Sequence, residues 1–470
     1  MNSHAVSWKP SVSPVSPVDS VPADPADPAA PATGRPLSGI PGGGDDGARR
    51  RLPHRWGFWI AAAALLVNMG FSAVPTPLYV LYQQRDHFSA ITVTAVYAIY
   101  AVGVIGSLFL GGHVSDWVGR KRIFVPALLV NVVSAAVFVS APSLTGLYLA
   151  RVLSGISVGL TTATATAYLG ELNLGSGRTA SPRRAHVTAT AANLGGIGVG
   201  PLVAGLLAQF APWPLQLPYL VFAAALAVLA LLVAVSPETI GPQDDQIAYR
   251  PQRVAVPRRT RKLFFAATGA GMAAFAVYGV FNSLAPSFLA DTMHQTSHAV
   301  AGAVAFAAFA SGAVAQITLA RWDSRTMLRR GAAALAVGLA LLTSGLWTAN
   351  VGLFVAGGIV AGASGGLIFR AAVSAAASAA PPESRAEAMA GFFLGAYVGL
   401  SVPVVGLGVA AEYWSAQDAL LVFVVVVMAA TVLAVRAVIR AYDDAGIDAG
   451  AAGGKEAAAV RVLPDEGLRR

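Results

Sequence analysis

The sequence predicts an all-α integral membrane protein: twelve transmembrane helices arranged as two six-helix, pseudo-symmetric bundles. Three observations lead there. The 470 residues are 56% hydrophobic and only 12% charged, with a mean hydropathy of +0.63, whereas a soluble domain carries about 25% charged residues. The charged residues are clustered, leaving uncharged runs long enough to cross a bilayer. The cations, finally, alternate from one connection to the next. A soluble enzyme has too little charge here to cover its surface. With no cysteine in the chain, a disulfide framework, a thiolate nucleophile and a cysteine-based metal site are all excluded.

A hydrocarbon core of about 30 Å needs roughly 20 helical residues, because a backbone in lipid must satisfy its own hydrogen bonds. Residues 1–55 hold ten of the 28 prolines, including Ala23-Asp-Pro-Ala-Asp-Pro28, and the run Pro41-Gly-Gly-Gly44. Such a composition builds no packed core and predicts a disordered tail. The 29 uncharged residues between Arg55 and Arg85 give span 1 at 57–82, and the 29 between Asp86 and Asp116 give span 2 at 90–112. The uncharged runs 123–150 and 152–170 supply span 3 at 122–140 and span 4 at 144–169. From Ala185 to Pro237 there are 53 uncharged residues broken by Ala211-Pro-Trp-Pro-Leu-Gln-Leu-Pro218, which makes span 5 at 185–209 and span 6 at 216–235. A basic linker, 237–262, follows. The runs 263–290 and 292–320 give span 7 at 263–289 and span 8 at 298–320; 331–369, broken at Trp347-Thr-Ala-Asn350, gives span 9 at 330–348 and begins span 10 at 352–377. Spans 11 and 12 fall at 386–411 and 418–438, and 441–470, rich in Ala, Gly and charge, is expected to be a second disordered tail.

When the connections are assigned to alternate sides, 29 of the 32 Lys and Arg fall on one side. Arg151 and Arg370 lie inside spans, which leaves Arg85 as the one cation in a loop of the other side. The positive-inside rule then puts both termini and every even-numbered loop in the cytoplasm, with the protein in the inner membrane of a bacterium. The net charge of +9 is thereby accounted for by an anionic leaflet, so membrane lipid is the expected partner and nucleic acid is not.

The linker divides the chain into an N-terminal bundle, 56–236, and a C-terminal bundle, 263–440. Faint internal similarity agrees: Pro77-Leu-Tyr-Val80 is echoed by Pro286-Ser-Phe-Leu289, and Arg184-Ala185 with Gly198 and Gly205 by Arg385-Ala386 with Gly399 and Gly406. Chance matching in an Ala/Gly-rich chain is the competing explanation. Repeats with a site between them suit alternating access, in which the halves rock about a central cavity.

After span 2 comes Gly112-His-Val-Ser-Asp116-Trp-Val-Gly119-Arg120-Lys121-Arg122. Gly112 permits close helix approach, Gly119 a tight turn, and Asp116 can meet cations and a positive helix terminus. This stretch resembles the loop 2/3 signature of the major facilitator superfamily, G-x-x-x-D-(R/K)-x-G-(R/K)-(R/K), with Trp117 in place of a basic residue. The resemblance implies twelve spans and a cytoplasmic latch in which Asp116 and Arg120, with Gly112, Gly119 and Lys121, hold the outward-facing state; a solvated turn that merely sets topology is the alternative. The second-half counterpart, Arg321-Trp-Asp323-Ser-Arg325 to Arg330, keeps charge without the glycines.

In span 4, Arg151-Val-Leu-Ser-Gly155 is similar to the family's R-x-x-x-G motif. A cation there costs about 2.5–3.5 kcal/mol at a helix centre and needs a partner or a wet cavity, unless it snorkels to the surface. Arg370 in span 10 poses the same problem with no motif behind it. Span 5 carries Gly196, Gly200, Pro201 and Gly205, resembling the G-x-x-x-G-P-x-x-G-G motif of the family's twelve-span, proton-coupled drug and metabolite efflux antiporters, with Ala204 for one glycine. The implied role is a helix bend linked to export; ordinary helix packing is the other reading.

Mid-span polar and aromatic residues supply the expected substrate cavity: Asn68, Tyr97, Tyr100, Asn193, Tyr278, Asn282, Phe392 and Tyr397. For proton coupling, Glu171 at the end of span 4 and Glu412 at the end of span 11 are the acidic candidates. No metal or cofactor is expected, and the energy source is a proton gradient. The expected function is proton-driven export of a small organic compound or drug by a monomeric carrier that is not an enzyme. Proton-coupled uptake of an organic anion or sugar is the runner-up, and a non-transporting sensor or scaffold the alternative of another class.

Overall fold

A computed structural model describes residues 53–111, 114–177, 181–240, 256–381 and 384–445. The expectations of disorder over 1–52 and 446–470, most of the linker, and Gly112 lie outside the described residues. The described residues form twelve long apolar helices: His54–Asp86, Ala90–Gly111, Arg120–Ser140, Leu144–Leu174, Pro182–Phe210, Leu217–Val235, Arg261–Ser283, His298–Thr318, Ser324–Trp347, Val351–Ser378, Arg385–Tyr413 and Ala416–Asp444. They are spans 1 to 12. Most edges shift by up to five residues, as span 4 does in running on to Leu174; the end of span 12 and the start of span 9 shift further. Helix continues to Ala445 where a tail was expected from 441. Span 9 starts at Ser324, so Arg325, Arg329 and Arg330 sit in its first turns and not in the loop. Arg325 pairs with Asp443 at 2.6 Å and Arg330 covers the Trp322 ring at 4.8 Å, so the charges are held beside the helix while their stems pack.

Four short connections are closed by side-chain caps. The Ser143, Ser297, Asp323 and Asn350 side chains accept from the amides of Gly146, Val300, Thr326 and Leu353 at 3.2, 3.4, 2.9 and 3.0 Å. Each satisfies one of the amide groups that a helix start leaves without a partner. The bond from Thr326 also holds the Asp323 carboxyl below its ordinary pKa.

Spans 1 and 7 are both interrupted at proline. Straight helix ends at Ala73 and resumes at Tyr79 after a tight turn at Thr76–Leu78; span 7 ends at Ser283 and continues as Ala285–Ser287 and a wide turn at Phe288–Thr292. Pro75, Pro77 and Pro286 lack the amide that would extend the ladder. The buried apolar core falls into two clusters. One is drawn from Phe58 to Val233 with Tyr397, Leu400 and Val404 of span 11; the other runs from Leu263 to Tyr442. Small residues set the spacing between helices. A Cβ at Gly155 of span 4 would run into the Tyr100 carbonyl of span 2, and one at Gly302 of span 8 into the Pro201 carbonyl of span 5. The second contact joins the two halves.

Candidate functional site

The face of the molecule that carries Arg120, Arg184 and Lys262 is called the basic face below. At the opposite face, hydrogen bonds among the described residues tie the first six spans to the last six. Thr76 Oγ1 donates to the Asn282 carbonyl at 3.1 Å and Ser287 Oγ to Gln83 Oε1 at 2.7 Å. The His298 amide donates to Gln209 Oε1 at 2.9 Å and the Ile91 amide to Glu412 Oε1 at 3.1 Å. The first pair joins the proline breaks of spans 1 and 7 directly. Small polar side chains at these breaks, together with Gln209 and Glu412, thus bridge the halves at this face.

Inside that seal lies a cavity of about 230 Å³. Its deep end is Ser72, Arg151 and Asn282; Thr166, His186 and Gln316 lie toward the basic face, one or a few turns from the ends of their helices. The walls are aromatic: Tyr97 and Tyr100 from span 2, Phe275 and Tyr278 from span 7, with Phe309, Phe369, Phe393 and Tyr397. Tyr278 stacks on Phe309 with ring centroids 4.7 Å apart, and Tyr397 meets Phe275 and Tyr100 edge-on at 5.7 and 6.3 Å. Such pairs keep the rings in fixed orientations. Asn193, Thr162 and Thr190 add hydrogen-bonding groups.

Arg151 is 2% exposed. Its Nη1 donates to the Ser72 carbonyl at 2.6 Å, Nη2 to the Tyr97 carbonyl at 3.3 Å and Nε to the Val96 carbonyl at 3.4 Å. The guanidinium also lies over the Tyr100 and Tyr97 rings at 4.6 and 5.6 Å. Ser72 stands at the end of the straight part of span 1, so the break at Pro75 leaves its carbonyl open to a partner from span 4. Arg151 faces inward and does not snorkel. Arg370 is not itself in the cavity lining but holds two residues that are, at the other end: its Nη1 lies 2.8 Å from His186 Nε2 and 3.0 Å from the Gln316 carbonyl. A guanidinium only donates, so Nε2 is the acceptor in this contact.

Two of the expected cavity residues are elsewhere. Asn68 is fully buried between helices: its Nδ2 donates to Thr161 Oγ1 at 3.0 Å, and its Oδ1 accepts from Asn131 Nδ2 at 2.8 Å and from Ser157 Oγ at 3.2 Å. It is the hub of a polar network that joins spans 1, 3 and 4, where a buried amide must find partners. Phe392 is also fully buried, against Gly271, where an added Cβ would touch its ring; its neighbour Phe393 faces the cavity. Tyr97, Tyr100, Asn193, Tyr278, Asn282 and Tyr397 do line it.

The two acidic candidates for proton coupling stand outside the cavity. Glu412 caps the start of span 2 through the Ile91 amide. Glu171 holds Arg120, whose Nη2 and Nε donate at 2.8 and 3.1 Å, and accepts from Thr239 Oγ1 at 2.5 Å. Arg120 Nη1 also donates to Ser115 Oγ at 2.9 Å. Glu238, which the sequence reading missed, accepts from the amides of Arg120 and Lys121 at 2.9 and 3.1 Å, and so caps the first turn of span 3. Lys121 Nζ donates to the Ala234 carbonyl at 3.1 Å. Gly119, at φ +112°, makes the turn into this site, a conformation that glycine adopts without penalty. All of these partners belong to the first six spans, so the loop 2/3 signature fastens spans 3, 4 and 6 to one another. The backbone of Asp116 lies in a short helix, Ser115–Val118; its side chain is outside the described residues.

Around the bend motif, five residues, Ala191–Gly195, form a wide turn, and helix then runs Gly196–Phe210 through Pro201. Added Cβ atoms at Gly196 and Gly200 would strike Leu66 and Gly70 of span 1, and one at Gly205 would strike His298 of span 8. These glycines thus seat span 5 against both halves.

The sequence profile of the Major Facilitator Superfamily matches residues 15–172 and 60–342, and the chain belongs to that family. It is a membrane transporter and not an enzyme. The puromycin resistance protein pur8 of Streptomyces alboniger is 33% identical over 166 residues, 34% of this chain and 32% of that protein, so the match spans about a third of the relative. A crystal structure of a mutant of the nucleoside transporter NupG covers 82% of this chain and 100% of its own, with 13% identity and a TM-score of 0.64. A bacterial homologue of the human lysosomal transporter Spinster, inward-facing and unoccupied, covers 86% and 98% at 14% identity and a TM-score of 0.56. These two likenesses establish the fold.

Proposed function

We propose that the protein is a secondary active transporter that exports a small organic compound across the cytoplasmic membrane of a bacterium, by alternating access driven by protons. The observation that carries this reading is the cavity itself: aromatic, furnished with amides, reachable from the basic face and sealed at the other by contacts between the halves. The positive-inside rule makes the basic face cytoplasmic, so the structure stands with its site turned toward the cell interior, ready to load. The name of the puromycin resistance relative supports the outward direction. A monomer suffices, since the cavity is built within one chain.

For coupling, His186 takes the place of Glu171 and Glu412. Among the described residues it is the histidine that lines the cavity, its contact with Arg370 crosses the halves, and imidazole is the side chain whose charge changes nearest neutral pH. Protonation of Nε2 removes the acceptor and sets imidazolium beside the Arg370 guanidinium, which pushes the halves apart at this face. Other charged groups on the packed elements are engaged elsewhere or lie on other turns: Glu171 with Arg120, Arg151 with carbonyls, Arg184 over the Phe58 and Trp59 rings, His298 through its amide at the opposite face, and His54, Arg55 and Arg183 at the helix starts.

Expression in an efflux-deficient host tests the proposal. Tolerance to members of a toxic-compound panel should rise, and addition of such a compound to inside-out vesicles should discharge a preformed pH gradient. Unchanged tolerance across the panel, together with accumulation of solute by intact cells, would favour proton-coupled uptake instead. Absence of any flux in liposomes would favour a sensor.

A further inference from the structure

We infer that the solute is a flat aromatic molecule bearing a single negative charge, bound with its anionic group at Arg151. The inference rests on the carrier reading above and adds the charge class of the cargo. Three observations carry it. First, Arg151 is buried at the deep end of the cavity, and its three hydrogen bonds all go to neutral carbonyls. No carboxylate among the described residues pairs with it or lines the cavity. A guanidinium has five N–H donors, so two remain after these bonds. A buried charge without a counter-ion is costly, and a counter-ion brought by the ligand recovers that cost.

Second, Tyr97 is 3% exposed on the same wall, and its hydroxyl, beside Asn282, makes no hydrogen bond of normal geometry. Buried hydroxyls are rarely left so, and this one can donate to an anion that already accepts from Arg151. Third, the remaining walls are rings. The Tyr278–Phe309 stack and the Phe275–Tyr397 edge contact leave apolar faces suited to a planar solute, while Asn193 and Gln316 are placed for its uncharged polar substituents. A carboxylate matches the planar guanidinium donors best. A cationic solute would meet Arg151 with no acid to offset the repulsion.

Purified full-length protein in detergent is titrated with 2-naphthoate, 2-naphthamide and 2-naphthylmethylamine, three probes of similar shape that differ in charge, with thermal stabilisation as the readout. The naphthoate is expected to bind about tenfold more tightly than the amide, as for a gained charge-assisted pair, and the amine least well. In Arg151→Gln the anion should lose its advantage; Arg151→Lys, which keeps the charge, should retain the order at weaker affinity. If Arg151→Gln does not fold, the order in the unsubstituted protein and in Arg151→Lys decides. Equal or tighter binding of the amide or amine, no stabilisation by naphthoate, or an anion preference that survives in Arg151→Gln would overturn the inference. Binding in detergent has no direction. Lost charge preference with intact solute flux in liposomes therefore sinks this inference alone, and intact preference without flux sinks the carrier reading alone.

Discussion

Gly302→Ala addresses a contact between the halves on the sealed face, opposite the basic face. Gly302 of span 8 lies against the Pro201 carbonyl and the Leu202 Cα of span 5, and even a methyl group there overlaps backbone. Backbone cannot swing aside as a long side chain does, so the overlap costs about 1–3 kcal/mol, the usual range for overpacking. The cost is paid only in the state where spans 5 and 8 touch at this face. It therefore converts to a shift of roughly 5- to 150-fold in the balance between the two facings. The natural absence of cysteine allows spin labels without background. Labels at Phe210 and Tyr413, both highly exposed and at the opposite-face ends of spans 5 and 11, would report the separation of the halves. The expected result is a new, longer distance population in Gly302→Ala. A distribution identical to that of the parent would refute the reasoning, because the interface would then absorb the methyl group without choosing between states.

Further outcomes follow from other contacts. His186→Gln keeps an acceptor toward Arg370 but cannot be protonated, so solute flux should persist while its dependence on cytoplasmic pH flattens; an unchanged pH profile in vesicles would remove His186 from the coupling step. Glu238→Gln weakens the cap on the amides of Arg120 and Lys121, and by analogy with caps in soluble proteins should lower stability by about 0.5–2 kcal/mol, seen as a lower melting temperature with Glu171 and Arg120 unaltered. The carboxyl of Asp323 has a lowered folded pKa, so its cap adds stability that is present above the ordinary carboxylate range and is lost as pH falls through the folded value. Asp323→Asn, which still caps, should be less stable than the parent at neutral pH and show a flatter acid melting profile.

The spans were readable because lipid imposes a length and a charge rule on the sequence, and both act locally. Arg151 stood out for the same reason: a guanidinium within a span must be explained. The faces of the helices were hidden. Span 1 and span 11 are apolar on nearly every side, so no periodic pattern distinguishes a cavity wall from a helix seam, and the sequence does not show that Asn68 and Phe392 pack between helices. Glu238 was missed because it lies beyond the end of span 6, where a carboxylate reads as solvated; only the fold brings it to the first turn of span 3, more than a hundred residues away in sequence. His186 was passed over for a similar reason. Its partner Arg370 is in the other half of the chain, and a histidine near a helix end carries no signal of its own. The prolines of spans 1 and 7 were noticed as an echo, but their meeting through Thr76 and Asn282 is a property of the folded pair.

The central claim is that the cavity faces the cytoplasm and exchanges access when the halves rock. The most direct test places a cysteine at Thr190, on the cavity wall, in this cysteine-free chain and measures its modification by a membrane-impermeant maleimide in vesicles of both orientations. The account predicts rapid labelling in inside-out vesicles and slow labelling in right-side-out vesicles, with the contrast reduced in Gly302→Ala. Faster labelling from the outside, or equal labelling from both sides in the parent chain, would contradict it.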